Sequence, residues 1–147
     1  MVKYLNSKGY SMFEMLLVLL ILSVLASLII PNLMSVNQSL EANHFFKQLE
    51  TDLYEAQMRA MTNGYPIRVI FSQSNKQYTV RRGVVTIKVR KIPDNMNVRG
   101  GTLRLDDVQY RTDGTLSRTG TIHFTHRDDT YELRFHFIRG RFTIAKR

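Results

Sequence analysis

The stretch "SKGYSMFEMLLVLLILSVLASLIIPNL", Ser7 to Leu33, decides how the rest of the chain is read. From Met15 to Ile30 nothing is more polar than Ser23 and Ser27, and between Tyr10 and Leu40 the only formal charge is Glu14. With the residues before Met15, this makes about 20 apolar positions, enough for a helix rising ~1.5 Å per residue to cover a ~30 Å hydrocarbon core. Lys3 and Lys8 precede the run, and Lys47 is the first basic residue after it. The positive-inside rule therefore predicts a single-pass membrane segment with a cytoplasmic N-terminus and an extracytoplasmic remainder. Glu14 is out of place, because an ionisable group in lipid costs roughly 2.5 to 3.5 kcal/mol. It calls for a partner. A secretory signal cut near Val24 and Ala26 is the first rival, but the run continues through Leu28, Ile29 and Ile30, and a carboxylate is foreign to such a core.

The 147 residues leave room for one domain, and 44% hydrophobic content is enough to build a core. The absence of cysteine excludes disulfides and thiolate metal sites. Charge is unevenly distributed. Up to Tyr65 the chain holds Lys3, Lys8, Lys47 and Arg59 against Glu14, Glu41, Glu50, Asp52 and Glu55. That leaves seventeen of the 21 basic residues and seven of the 12 acidic ones after it, a local net of +10 within the total of +9. Such a half suits a polyanion: nucleic acid, a phosphate-rich polymer or anionic lipid.

Beyond Pro31, which lacks an amide donor and predicts a kink, Phe45, Leu49, Leu53, Ala56 and Ala60 recur at helical spacing. Glu41, Lys47, Asp52, Glu55 and Arg59 are assigned to other faces. Asn63-Gly64 supplies a C-cap and Pro66 a stop. After Pro66 the pattern alternates. "PIRVIFS", "KQYTVRR", "VVTIKVRK", "GTIHFTH", "TYELRFHFI" and "RFTIA" read as strands, with Tyr131, Leu133, Phe135 and Phe137 on one face. Turns are expected at Asp94-Asn95, Gly100-Gly101, Asp113-Gly114, Asp128-Asp129 and Arg139-Gly140. The expected fold is α+β: a helix of about 50 residues whose amphipathic half packs on a small antiparallel sheet.

No nucleophile elbow, phosphate loop or HExxH motif is present, and no catalytic residue or cofactor is expected. Paired strands would have to bring His123 and His136 together near Asp128 or Asp129 to hold a metal, and solvated sheet histidines are the reading preferred here, with no metal site. The basic half offers Arg81, Arg82, Lys88, Arg90, Lys91, Arg99, Arg104, Arg134, Arg139, Arg141, Lys146 and Arg147 as a phosphate-tracking surface for DNA or another polyanion, with Tyr78, Tyr110 or Phe142 as stacking groups.

The order Lys8-Gly9, Tyr10, three residues, Glu14 and an apolar helix resembles the leader signal of type IV pilins and pseudopilins. "LYEAQMRAMTNGYPIRVIF" and "TDGTLSRTGTIHF" are similar to the helix-to-sheet junction and the Gly-Thr-Ile turn of small pseudopilins. The overall likeness points to a minor pseudopilin of the competence apparatus of Gram-positive bacteria, a structural subunit of a type IV-like pilus needed for DNA uptake. The resemblance implies cleavage between Gly9 and Tyr10 by a prepilin peptidase and N-methylation of Tyr10. It also implies that Glu14 pairs with a neighbouring subunit's new amine, and that Pro31 loosens the helix. Residues 1–9 would be the leader, 10–31 the transmembrane and assembly helix, 32–64 the amphipathic helix and 65–147 the sheet head. Implied partners are other major and minor pseudopilins, the peptidase, a membrane assembly platform with its motor, and extracellular DNA, with the head at the cell surface once assembled. A type II secretion pseudopilin and a membrane-anchored basic protein that binds DNA or another polyanion are the alternatives.

Overall fold

The computed structural model describes residues 11–147, with side chains described throughout except at 28–39. It contains helix α1 (Met12–Asn63) and strands β1 (Ile67–Ser72), β2 (Gln77–Arg82), β3 (Val85–Lys91), β4 (Met96–Gly100), β5 (Val108–Tyr110), β6 (Gly120–His126), β7 (Asp129–Phe135) and β8 (Phe142–Lys146). A short 3-10 turn, Ile138–Gly140, precedes the last strand. The chain divides into two compact units, Met1–Leu40 and Glu41–Arg147.

In the second unit the helical residues 41–63 bury the expected stripe of Phe45, Leu49, Leu53, Ala56 and Ala60, widened by Ala42 and Phe46. The three- and four-residue spacing puts all seven on one side. Gly64 ends the helix at φ 67°, a left-handed conformation that glycine adopts without a Cβ clash, and its N–H bonds the Ala60 carbonyl at 3.2 Å.

The strands form two four-stranded antiparallel sheets, ordered β3-β2-β1-β5 and β4-β6-β7-β8. Alternation sets their inner faces: Ile67, Val69 and Phe71 on β1, Ile122 and Phe124 on β6, Leu133 and Phe135 on β7 are all buried. Helix and sheets share one core. Phe124 shows why, with its ring centroid 5.8 Å from Phe45, 5.5 Å from Phe46 and 5.7 Å from Phe71. Gln73 fastens the sheets from outside, accepting from Val98 N–H at 2.7 Å and donating to Asn97 at 2.7 Å.

These findings correct the expected α+β architecture. The second unit is mostly β, with eight strands in two sheets where six strands in one small sheet were expected, and among the described residues no long apolar helix packs on a small sheet. The two unforeseen strands are β5, three residues long, and β4, which lies between two turn signals. β7 stops at Phe135, so Phe137 enters the following turn and is 79% exposed instead of joining the core. Membrane placement is corrected as well. Among the described residues no helix is long and apolar enough to cross a membrane. The expected single-pass placement, with a cytoplasmic N-terminus and an extracytoplasmic head, is therefore not supported.

Candidate functional site

Gly9 and Tyr10 lie outside the described residues, as do the Pro31 side chain and the kink expected there. Glu14 sits in the first turn of α1, its N–H bonding the Ser11 carbonyl at 3.0 Å, and its side chain is exposed. The large apolar residues around it are exposed too: Met12 at 81%, Phe13 at 74% and Leu17 at 46%. Exposure continues through Leu25, so this stretch presents apolar side chains with no core among the described residues of its own unit to receive them.

The second unit contains a charge cluster that the sequence did not foretell. Asp52, assigned above to a polar face, is 2% exposed. It lies three residues after Leu49 and four before Ala56, and so inside the buried stripe. Four donors reach it: Tyr78 Oη at 2.7 Å, Lys88 Nζ at 2.8 Å, Arg90 Nε at 3.2 Å and Gln48 Nε2 at 3.3 Å. Lys88 also bonds Glu55, which accepts from Arg59 Nε at 2.9 Å. The register explains the meeting. Tyr78 pairs with Arg90 and Val80 with Lys88, so both cations share the inward face of their sheet.

Burial pushes the Asp52 carboxyl upward, but the hydrogen bonds from Lys88, Tyr78 and Arg90 outweigh it and hold the group below the usual carboxylate range. Glu55 is lowered chiefly by its bonds from Lys88 and Arg59. Burial would lower Lys88, yet Asp52 and Glu55 raise it, while burial and the Asp52 carboxylate both drive Tyr78 upward. The cluster is a satisfied structural network with every charge paired.

The twelve basic residues named for polyanion contact are spread over the two sheets and the turns beside them, with Arg99 on β4 and Arg104 in the turn after it. Lys88 and Arg90 are engaged by Asp52. Arg82 lies over the Tyr65 ring at 4.7 Å, Arg81 bonds Thr86, Arg134 pairs with Glu132 and Lys146 with Asp129. Lys91 and Arg147 are exposed at strand ends. Arg139 and Arg141 flank one groove beside the helix, and neither forms a salt bridge among the described residues. Of the three stacking groups considered, Tyr78 and Tyr110 are buried and inaccessible, while Phe142 lines that same groove.

The histidines do not converge. His123 pairs with Glu132, while Gly120 pairs with Phe135, so His136 lies beyond the end of that ladder. Among the described residues no cluster of three or more His, Asp or Glu is arranged to hold a metal ion. Two buried side-chain atoms lack hydrogen-bond partners among the described residues: Tyr110 Oη and His126 Nε2. An unpaired buried hydroxyl costs about 1 to 3 kcal/mol. Tyr110→Phe should therefore raise stability by about 1 kcal/mol, read as a higher melting temperature. Comparison with protein-family models, with curated proteins and with solved structures finds no match to this chain.

Proposed function

We propose that the chain is a minor pseudopilin, a non-catalytic subunit that joins others of its kind in a type IV-like filament serving DNA uptake. The observation that carries this reading is the combination at residues 12–27: large apolar side chains exposed within their own unit, and one carboxylate, Glu14, among them. A helix apolar on all sides needs neighbours on all sides. Helices of other subunits would supply them. A prepilin peptidase cutting between Gly9 and Tyr10 would create a charged amine, later methylated, that pairs with Glu14 of a neighbour inside the bundle. In that low-dielectric interior two isolated charges become one satisfied contact, so processing licenses assembly. Partners on this reading are the peptidase, the other pseudopilins, and the assembly platform with its motor.

The direct test is the N-terminus of the mature chain by mass spectrometry, with and without the prepilin peptidase. A chain that begins at Tyr10 only when the peptidase is present supports the reading, and one that keeps Met1 in both refutes it. Glu14→Val should leave cleavage intact but reduce recovery in the filament fraction by about tenfold or more, since an unpaired buried charge costs several kcal/mol. Normal co-assembly of the variant would remove the pairing mechanism.

A further inference from the structure

Between the helix and the chain segment that returns from β7 into β8 lies an open groove of about 820 Å³, lined by Tyr54, His136, Ile138, Arg139, Arg141 and Phe142. No carboxylate lines it. That distinguishes it from the groove at the other end of the helical segment. There Glu41 and Asp94 stand beside Arg90, which is already bonded to Asp52, so the charge is mixed.

The groove is held in shape before anything enters it. Gln57 Nε2 donates to two carbonyls, Gly114 O and Arg139 O, each at 2.8 Å, tying the β5–β6 loop and the 3-10 turn to the helix. His136 N–H bonds the Arg141 carbonyl at 2.8 Å and closes the turn from the other side. Arg139 has φ 54° and is followed by Gly140 at φ 62°. A Cβ at Gly140 would run into the Gly114 carbonyl, so the tight turn that places both arginines depends on that glycine. The wall is aromatic. Tyr54 is half exposed and its ring lies 4.9 Å from Phe142, which is nearly buried and backs it. Phe137, next to the lining residue Ile138, is a further exposed ring.

We propose that this groove binds single-stranded nucleic acid, with Arg139 and Arg141 on successive phosphates and Tyr54 as a platform for an unpaired base. Guanidinium forks match phosphate oxygens, and an aromatic face accepts any base that is not already stacked in a duplex. A phosphate polymer without bases would use the arginines but leave the ring idle. An acidic protein segment would do the same. The chain's net charge of +9 adds a long-range attraction that is independent of sequence. The inference stands apart from the filament reading, because every lining residue belongs to the unit 41–147 and none to the leader or Glu14.

The test is fluorescence anisotropy of a labelled oligothymidylate of about 12 nucleotides with the unassembled full chain, kept dispersed in mild detergent because residues 12–27 expose apolar side chains. Arg139→Asn combined with Arg141→Gln should weaken binding about tenfold or more and flatten its salt dependence by roughly 0.7 for each phosphate no longer neutralised. Asparagine is chosen because it tolerates the left-handed backbone at position 139. Tyr54→Leu should weaken binding about fivefold or more, and Tyr54→Phe should bind like the wild type, because the ring is retained. Lys47→Gln with Arg68→Gln, both exposed and away from the groove, should change affinity by less than about twofold. Melting temperatures matching the wild type establish that each variant is folded. Absence of wild-type binding at low salt would overturn the proposal. So would equal weakening in groove and control variants, or displacement of the oligonucleotide by polyphosphate or polyglutamate at equal charge with no effect of Tyr54→Leu. None of these outcomes touches cleavage at Gly9, so the two readings fail separately.

Discussion

Asp52→Ala should lower the stability of the unit 41–147 by about 3 to 5 kcal/mol, seen as a fall in the urea midpoint at neutral pH. The size follows from what is left behind. Arg90 would lose its charge partner, Lys88 would be left with Glu55 alone, and the Tyr78 hydroxyl, on a residue 1% exposed, would lose its acceptor. Glu55 cannot replace Asp52, since its side chain is 35% exposed and already shared between Lys88 and Arg59. Asp52→Asn should cost less, because it keeps an acceptor for Tyr78. The same network sets the pH profile. Asp52 and Glu55 are held below their ordinary 3.8 and 4.5, so they contribute stability that is complete above about pH 5 and is lost as the pH falls through their lowered values. Tyr78 and Lys88 are raised above 10.0 and 10.5, so their contribution is complete below about pH 10 and is lost as the pH rises beyond it. Urea midpoints across pH should form a plateau between these limits, and Asp52→Ala should blunt the acid shoulder. An acid shoulder unchanged in the variant would mean that other carboxylates control acid unfolding.

Phe124→Ala should cost a similar amount, about 3 to 5 kcal/mol, because removing a fully buried ring leaves a cavity bounded by three structural elements. The ring touches Phe45 and Phe46 on the helix and Phe71 on the opposite sheet, so no single element can close the gap by shifting. Against a total stability of order 5 to 15 kcal/mol, such a loss is a large fraction. Phe137→Ala is the natural comparison. That ring is 79% exposed, and its removal should change stability by less than about 0.5 kcal/mol. A small loss at Phe124 would mean that the two sheets do not depend on a common core.

Much of this was legible in the sequence, and the gaps have physical causes. The helical stripe from Phe45 to Ala60 and six of the strands follow from periods of 3.6 and 2, because burial of one face enforces those periods. β4 and β5 escaped because five and three residues carry too few alternations to rise above the turn signals around them. The division into two sheets escaped for a different reason: pairing partners are chosen across the fold, and alternation within a strand says nothing about its neighbour. Asp52 was misplaced because a carboxylate reads as solvated until its partners are known. Those partners, Lys88 and Arg90, are 36 and 38 residues away. A signal was nevertheless present, since Asp52 lies between Leu49 and Ala56 on the apolar side while Lys88 and Arg90 alternate on one strand face. The groove needed Tyr54 from the helix and Arg139 and Arg141 from the last turn, which no local pattern connects. Tyr54 itself went unremarked among the stacking candidates.

β3 ends its sheet, leaving one side of its backbone open to any strand that approaches. Its ladder to β2 slips between Val80 and Arg81, which pair with Lys88 and Thr86 and leave Ile87 as an extra residue that bends the strand. Its two central cations are turned inward and held there by acids on the helix. Inward charges and a bulge are ways for an edge strand to refuse recruitment into a growing sheet. The Asp52 network therefore guards solubility as well as stability, and where many copies meet at high local concentration it favours orderly contact through other surfaces over templated aggregation along this edge.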